Sequence, residues 1–213
     1  MKRKLYLIFL LLLTACAAPT KNVSPPAATP TEILPIPSQT HQNDLFDANN
    51  IILAAPECNS GLTSSQTEGP YYKSGSPERN SLYEAGMPGK RLLVVGYVLD
   101  QNCQPIPGAW LDFWQADANG SYDNAGYTLR GHQYADAQGR YFLETVFPGE
   151  YPGRTQHIHV KVQPPNGNIL TSQLYFPNEP GNSSDGIFDS ALLVKLEDRG
   201  DYFVAYFNFV TQK

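Results

Sequence analysis

His157-Ile158-His159 lies three residues after Arg154 and six after Tyr151, and no other stretch of the 213 residues concentrates as much potential chemistry. Residues two apart in an extended strand point the same way, about 6.6 Å apart along the backbone. Two imidazoles presented like that make half of a metal site. The chain has only four histidines and three cysteines, so the usual donors for the other half are scarce. Tyrosine is plentiful, and most of its thirteen copies must be packing residues. Two stand on candidate loops, where reactive groups usually lie. Tyr122 occupies the turn Asn119-Gly120-Ser121-Tyr122-Asp123, and Tyr151 the tight connection from Phe147 to Arg154 that leads into the His-Ile-His run. A free phenol, with a pKa of about 10, is a poor ligand at neutral pH. A trivalent cation changes that, because its charge strongly favours the phenolate. Two phenolates and two neutral imidazoles would leave one positive charge on Fe(III), which a hydroxide would neutralise. The residues supply these ligand types; whether they converge depends on the fold.

The elements that must position them read as strands. Helix signals are nearly absent beyond the N-terminal segment, whereas short apolar runs recur between Gly, Pro, Asn and Asp. The spacing predicts strands over Arg91–Asp100, Ala109–Gln115, Arg140–Phe147, Gln156–Val162, Ile169–Phe176, Ala191–Leu196 and Tyr202–Val210. Seven or eight short strands with few or no helices imply an all-β, antiparallel β-sandwich. Trp110, Phe113 and Trp114 are candidate core residues, as are Tyr134 and Tyr141, while Asp117 and Asp123 read as turn formers. His132 is expected on an exposed loop and His41 in the N-terminal tether, and neither is assigned a site.

Lys2, Arg3 and Lys4, the apolar run Leu5–Leu13 and then Thr14-Ala15-Cys16 have the layout of a cleaved export signal. The cleavage site resembles that of bacterial lipoproteins, which implies residues 1–15 as signal peptide and lipidation of Cys16; an ordinary secretory signal is the alternative. Residues 16–55, rich in Pro, Thr, Ser and Asn, lack the apolar periodicity of a folded segment and read as a flexible tether. Residues 56–213 are long enough for one well-buried domain. Removing the signal leaves 12 basic against 20 acidic residues, a charge near −8. That argues against nucleic acid as a partner, and limits membrane contact to the lipid anchor. Cys58 and Cys103, the remaining cysteines, form an even pair in an exported chain and predict a disulfide, with soft metal ligation as the alternative.

The stretch from Cys58 onward resembles the intradiol ring-cleavage dioxygenases, the family of catechol 1,2-dioxygenase and protocatechuate 3,4-dioxygenase. The matching segments run in order: Gln66–Tyr72, Val95–Asp100 with Pro107-Gly108-Ala109, Asp112–Asp117 with Gly120-Ser121-Tyr122, Leu129-Arg130-Gly131, Asp136 with Gly139-Arg140-Tyr141, and Pro148–His159. The resemblance implies Tyr122, Tyr151, His157 and His159 as ligands of one non-haem Fe(III) per chain, with Tyr151 leaving the metal when substrate arrives. It implies catalytic roles for Arg154, Tyr151 and Gln173, and a catechol and O2 as substrates giving a muconate-type diacid. Pro70, Tyr71 and Arg154 are the candidate substrate contacts, although Pro70, Tyr71 and Tyr72 fit core packing equally well. The chain departs from the better-known members in lacking their helical dimerising segment and in its short link from Tyr151 to His157. The exported, cysteine-bridged branch of the family looks closer. The oligomeric state stays open, a homodimer being one option.

Two other classes compete. A copper or zinc β-sandwich of the dismutase kind also uses His-x-His, but needs more histidines than this domain offers. A transthyretin-like surface module could keep the motifs without turnover.

Overall fold

The computed structural model describes residues 58 and 61–212. The predicted signal peptide, the lipidated Cys16 and the tether lie outside the described residues. Among the described residues there are nine strands: β1 (Arg91–Leu99), β2 (Trp110–Gln115), β3 (Arg130–Tyr134), β4 (Arg140–Val146), β5 (His157–Gln163), β6 (Leu170–Tyr175), β7 (Lys195–Asp198), β8 (Tyr202–Tyr206) and β9 (Phe209–Val210). Two short 3-10 turns, Pro180–Ser183 and Ser190–Leu192, are the only helical elements among the described residues. None of the described helices is long and apolar enough to cross a membrane.

The strands form two sheets. One runs β4-β1-β8-β7, with β9 also paired to β1; the other runs β3-β2-β5-β6. Strand alternation sends Leu92, Val94, Leu143 and Ala205 of the first sheet against Leu111, Phe113, Ile158, Val160 and Leu174 of the second, in one continuous core. β1 is buried on both faces, because Leu93 and Val95 pack with Val204 in a smaller outer cluster. This explains why its sequence is a nearly unbroken apolar run.

The second sheet is antiparallel throughout, but β1 pairs in parallel with both β8 and β9. The strand pattern predicts antiparallel sheets throughout, whereas β8 reaches β1 by a long excursion that leaves strand direction free. The predicted strand Ala191–Leu196 divides into a 3-10 turn and β7, and Tyr202–Val210 is interrupted before β9, where the Asn208 side chain accepts a hydrogen bond from the Tyr97 N–H.

Three side chains depart from expectation. His132 is not on an exposed loop: it lies half-buried in β3, its Nδ1 2.8 Å from the Ser76 carbonyl. Tyr134 is 54% exposed rather than packed, and Trp110, its partner in β2, is only half-buried. Both point from the outer face of the sheet, away from the core. Cys58 and Cys103 are joined by a disulfide.

Candidate metal centre

Residues of β2, β3, β5 and β6 that turn away from the core share one face, and their register sets the site. Arg130, Trp114, His159 and Gln173 lie opposite one another on four neighbouring strands, and His157 lies opposite Tyr175. The tyrosines arrive from loops at this end of the sheet. Asp117 and Asp123 shape the first loop as turn residues. The Asp117 carboxylate accepts the N–H groups of Asn119 and Ser121, and that of Asp123 those of Ala125, Gly126 and Thr128. The second loop is stitched to the first by the Gly149 N–H, which donates to the Asp117 carbonyl at 2.8 Å. Gly120, at φ +79°, lets the backbones touch: a Cβ there would lie 2.1 Å from the Glu150 carbonyl oxygen. That contact brings Tyr122 and Tyr151 together, their ring centroids 5.7 Å apart.

The four predicted ligands converge. The Nε2 atoms of His157 and His159 stand 3.1 Å apart. His157 Nδ1 is 2.6 Å from the Thr155 carbonyl, which can only accept, so Nδ1 carries the proton and Nε2 keeps its lone pair. Trp114 stacks on His159, with centroids 4.8 Å apart, and fixes its plane. The ring of Tyr151 lies 5.6 Å from that of His157, and the ring of Tyr122 lies 6.4 Å from that of His159. The Tyr122 hydroxyl and His159 Nδ1 are buried with no hydrogen-bond partner among the described residues.

The electrostatics suit a cation. Burial, reinforced by the charge of Arg154, pushes His157 down to about 4. Burial and its neighbour His157 push His159 well below the usual range, so both rings are neutral donors at pH 7. Burial raises Tyr122, with Tyr151 adding to the effect, and it raises Tyr151 against the pull of Arg154. Neither phenol ionises unaided. Among the described residues no three His, Cys, Asp or Glu side chains gather into a metal site. The Tyr122 oxygen, buried and without a hydrogen-bond partner among the described residues, is a donor that a hard trivalent ion such as Fe(III) would fit.

Arg154 reaches the same place. Its Nη1 donates to the Tyr151 hydroxyl at 3.3 Å, and its Nη2 to Gln173 Oε1 at 2.5 Å and the Tyr175 hydroxyl at 3.3 Å. Gln173 is anchored in turn by donation to the Thr67 carbonyl. Tyr71 stacks on Tyr122 at 4.4 Å and meets Tyr151 edge-on, which places it against the candidate ligand rings rather than in the core. Pro70 is exposed on the rim of a cleft of about 520 Å³ that Tyr71, Lys73 and Arg130 also line. Tyr72 does both: it lines the same cleft, packs its ring against Trp114 and donates to the buried carboxylate of Asp112.

Sequence reasoning placed Trp114 in the core, and it is as buried as a core residue, yet its ring supports a candidate ligand. It gave no role to Arg130, which is 2% exposed and donates to the backbone carbonyls of Tyr71 and Asp123, on either side of Tyr122. Its place in the Leu-Arg-Gly motif was the available signal. Tyr175 and Asp185 were also missed; Asp185 sits in an Asn-Ser-Ser-Asp-Gly run that reads as an ordinary turn.

Residues 67–210 match the Dioxygenase family. The protocatechuate 3,4-dioxygenase beta chain of Burkholderia cepacia is 33% identical over 118 residues, covering 47% of this chain and 50% of its own. Hydroxyquinol 1,2-dioxygenase of Rhizobium sp. (strain MTP-10005) is 28% identical over 155 residues, covering 61% and 52%. The chain thus spans about half the length of these curated relatives. Among solved structures, the dioxygenase domain of a dioxygenase–carbohydrate-binding protein fusion from Streptomyces sp. SirexAA-E superposes with a TM-score of 0.70 at 49% identity, covering 71% of this chain and 99% of that one. The 3-chlorocatechol 1,2-dioxygenase of Rhodococcus opacus 1CP gives a TM-score of 0.66 at 29% identity, covering 71% and 72%.

Proposed function

The chain belongs to the intradiol ring-cleavage dioxygenase family, and we propose that it is a non-haem Fe(III) enzyme that opens catechol-type rings between the two hydroxylated carbons. The observation that carries this reading is the meeting of two imidazole Nε2 atoms 3.1 Å apart with the partnerless Tyr122 hydroxyl and the Tyr151 ring. Tyr122, Tyr151, His157 and His159 would hold the ion. When bound, Fe(III) supplies Lewis acidity toward the two catechol oxygens and stabilises the phenolates.

The rest falls to the protein. The Tyr151 oxygen, on a short turn and hydrogen-bonded by Arg154, would accept a proton from one catechol hydroxyl. The Arg154 guanidinium, fixed before substrate arrives, presents N–H donors where negative charge develops on the ring oxygen, and such preorganised donors act most strongly where water is excluded. Gln173 shares that polar edge. Trp114 backs His159 and Tyr71 backs Tyr122, and Pro70 with Tyr71 would guide the ring from the open cleft. Both atoms of O2 enter the product, a muconate-type diacid, so no second reductant is needed. Export and anchoring through a lipid on Cys16 are part of the same proposal, placing the enzyme where it meets catechols from the surroundings.

The test is metal analysis and oxygen uptake on the purified full-length chain after loading with ferric salt. Iron near one per chain, a visible tyrosinate-to-iron band and catechol-dependent uptake of O2 are expected. Bound copper or zinc would favour the dismutase-like reading, and iron binding with no oxygen uptake would favour a non-catalytic module.

A further inference from the structure

Arg154 can act only if its guanidinium faces the ligand rings, and a long side chain on a turn has many other rotamers available. One group fixes it. Asp185, between the two 3-10 turns, is 7% exposed, and its Oδ2 accepts from Arg154 Nε at 2.9 Å. The carboxylate is itself held by backbone: Oδ2 also accepts the Thr155 N–H at 3.1 Å, and Oδ1 accepts the Ile187 N–H at 3.1 Å. It is therefore a fixed post rather than a mobile partner. Because the guanidinium is planar and rigid, clamping Nε determines where the remaining N–H groups point. They point at the Tyr151 hydroxyl, Gln173 Oε1 and the Tyr175 hydroxyl.

We propose that Asp185 is a positioning residue for the ring-cleavage reaction, acting through Arg154 by holding its guanidinium edge toward the metal centre. This rests on the function proposed above. It assigns a purpose to the loop that joins β6 to β7, which contributes none of the proposed ligands. The salt bridge is nearly closed to solvent, with side-chain exposures of 14% for Arg154 and 1% for Asp185, so it is shielded from the screening that weakens surface pairs.

Asp185→Asn keeps the shape but removes the charge and one acceptor oxygen. In the iron-loaded full-length enzyme it should lower kcat for catechol by about 10–100-fold, the usual loss when a group supporting an active site is removed, while KM changes less than about threefold. The deciding comparison is the double variant. If Asp185 acts through Arg154, Arg154→Ala combined with Asp185→Asn is no slower than Arg154→Ala alone; a double variant slower by the product of the two effects overturns the proposal. So does an Asp185→Asn enzyme within twofold of the wild-type kcat. Should Asp185→Asn fail to fold, Asp185→Glu decides, since it keeps the charge but displaces the carboxylate by one methylene: a lowered kcat that disappears in the Arg154→Ala background supports the proposal, and near-normal turnover overturns it.

A readout independent of turnover is the Arg154 Nε–H resonance in full-length protein loaded with gallium(III), a diamagnetic stand-in for iron. A shifted, slowly exchanging signal that Asp185→Asn abolishes is expected, and a signal indifferent to the substitution overturns the assignment. If the wild-type enzyme takes up no oxygen with any catechol, the proposed function fails, while this resonance still reports whether Asp185 aims Arg154.

Discussion

At the scale of single residues, the centre is defined by groups that the protein alone leaves unsatisfied. A buried hydroxyl without a partner costs about 1–3 kcal/mol, and Tyr122 carries one. Metal-free Tyr122→Phe should therefore melt at the same temperature as the metal-free parent or a few degrees above it, and after ferric loading its tyrosinate-to-iron band should be weaker than the parent's or shifted. Lower thermal stability of the metal-free variant would mean that the hydroxyl has a protein partner after all. The imidazoles make a second, pH-dependent cost. His157 is held down to about 4 by burial and by Arg154, whereas the unfolded chain protonates near its ordinary pKa of about 6.5. Between those values the unfolded state binds more protons, so the metal-free protein keeps its full stability above about pH 6.5 and loses it as the pH falls toward 4, by up to about 3 kcal/mol from this residue alone. Denaturant unfolding at pH 7 and pH 5 checks the sign: His157→Phe should flatten the difference.

At the scale of elements, most of the site was legible because it follows strand period. His157 and His159 share a face by alternation, and the turn residues around Tyr122 and Tyr151 marked those segments as loops; Gln173 and Arg154 were reached only through the family resemblance, and the register that sets Gln173 beside His159 had no local signal. β3 was missed because Arg-Gly-His-Gln-Tyr has no β-branched residue and carries a glycine inside the strand. Parallel pairing of β1 with β8 and β9 had no local signal, since the partners are over a hundred residues apart. Asp185 and Arg130 were hidden for a related reason: each acts through backbone and side chains distant in sequence. The contact between the two tyrosine-bearing loops has a direct test. Gly120→Ala would drive a Cβ against the Glu150 carbonyl oxygen at a backbone angle that already disfavours L-residues. Ferric affinity should fall by about 10–100-fold while far-ultraviolet circular dichroism keeps the β-rich spectrum, as read by competition with a chelator.

At the scale of the whole molecule, stability and chemistry are held at opposite ends of the same strands. The disulfide between Cys58 and Cys103 spans 45 residues and ties the chain to the β1–β2 connection, while the candidate ligands cluster where β2 ends and β5 begins. Closing a loop of that length is worth about 4 kcal/mol in chain-entropy terms. Reduction, or Cys58→Ser, should lower the unfolding free energy by about that amount and leave catechol turnover at 25 °C within about twofold of the parent. A large loss of turnover with the fold intact would show that the two ends communicate.

β5 alternates candidate ligand and core residues along a single strand: His157 and His159 face the candidate metal centre, Ile158 and Val160 the oil-like interior. A misfolded pairing shifted by one position would drive both imidazoles into hydrocarbon and set two aliphatic chains where a metal should sit. No such species could be both stable and half-active. The strand thus acts as its own quality control, because a register error would forfeit the core and the candidate centre together.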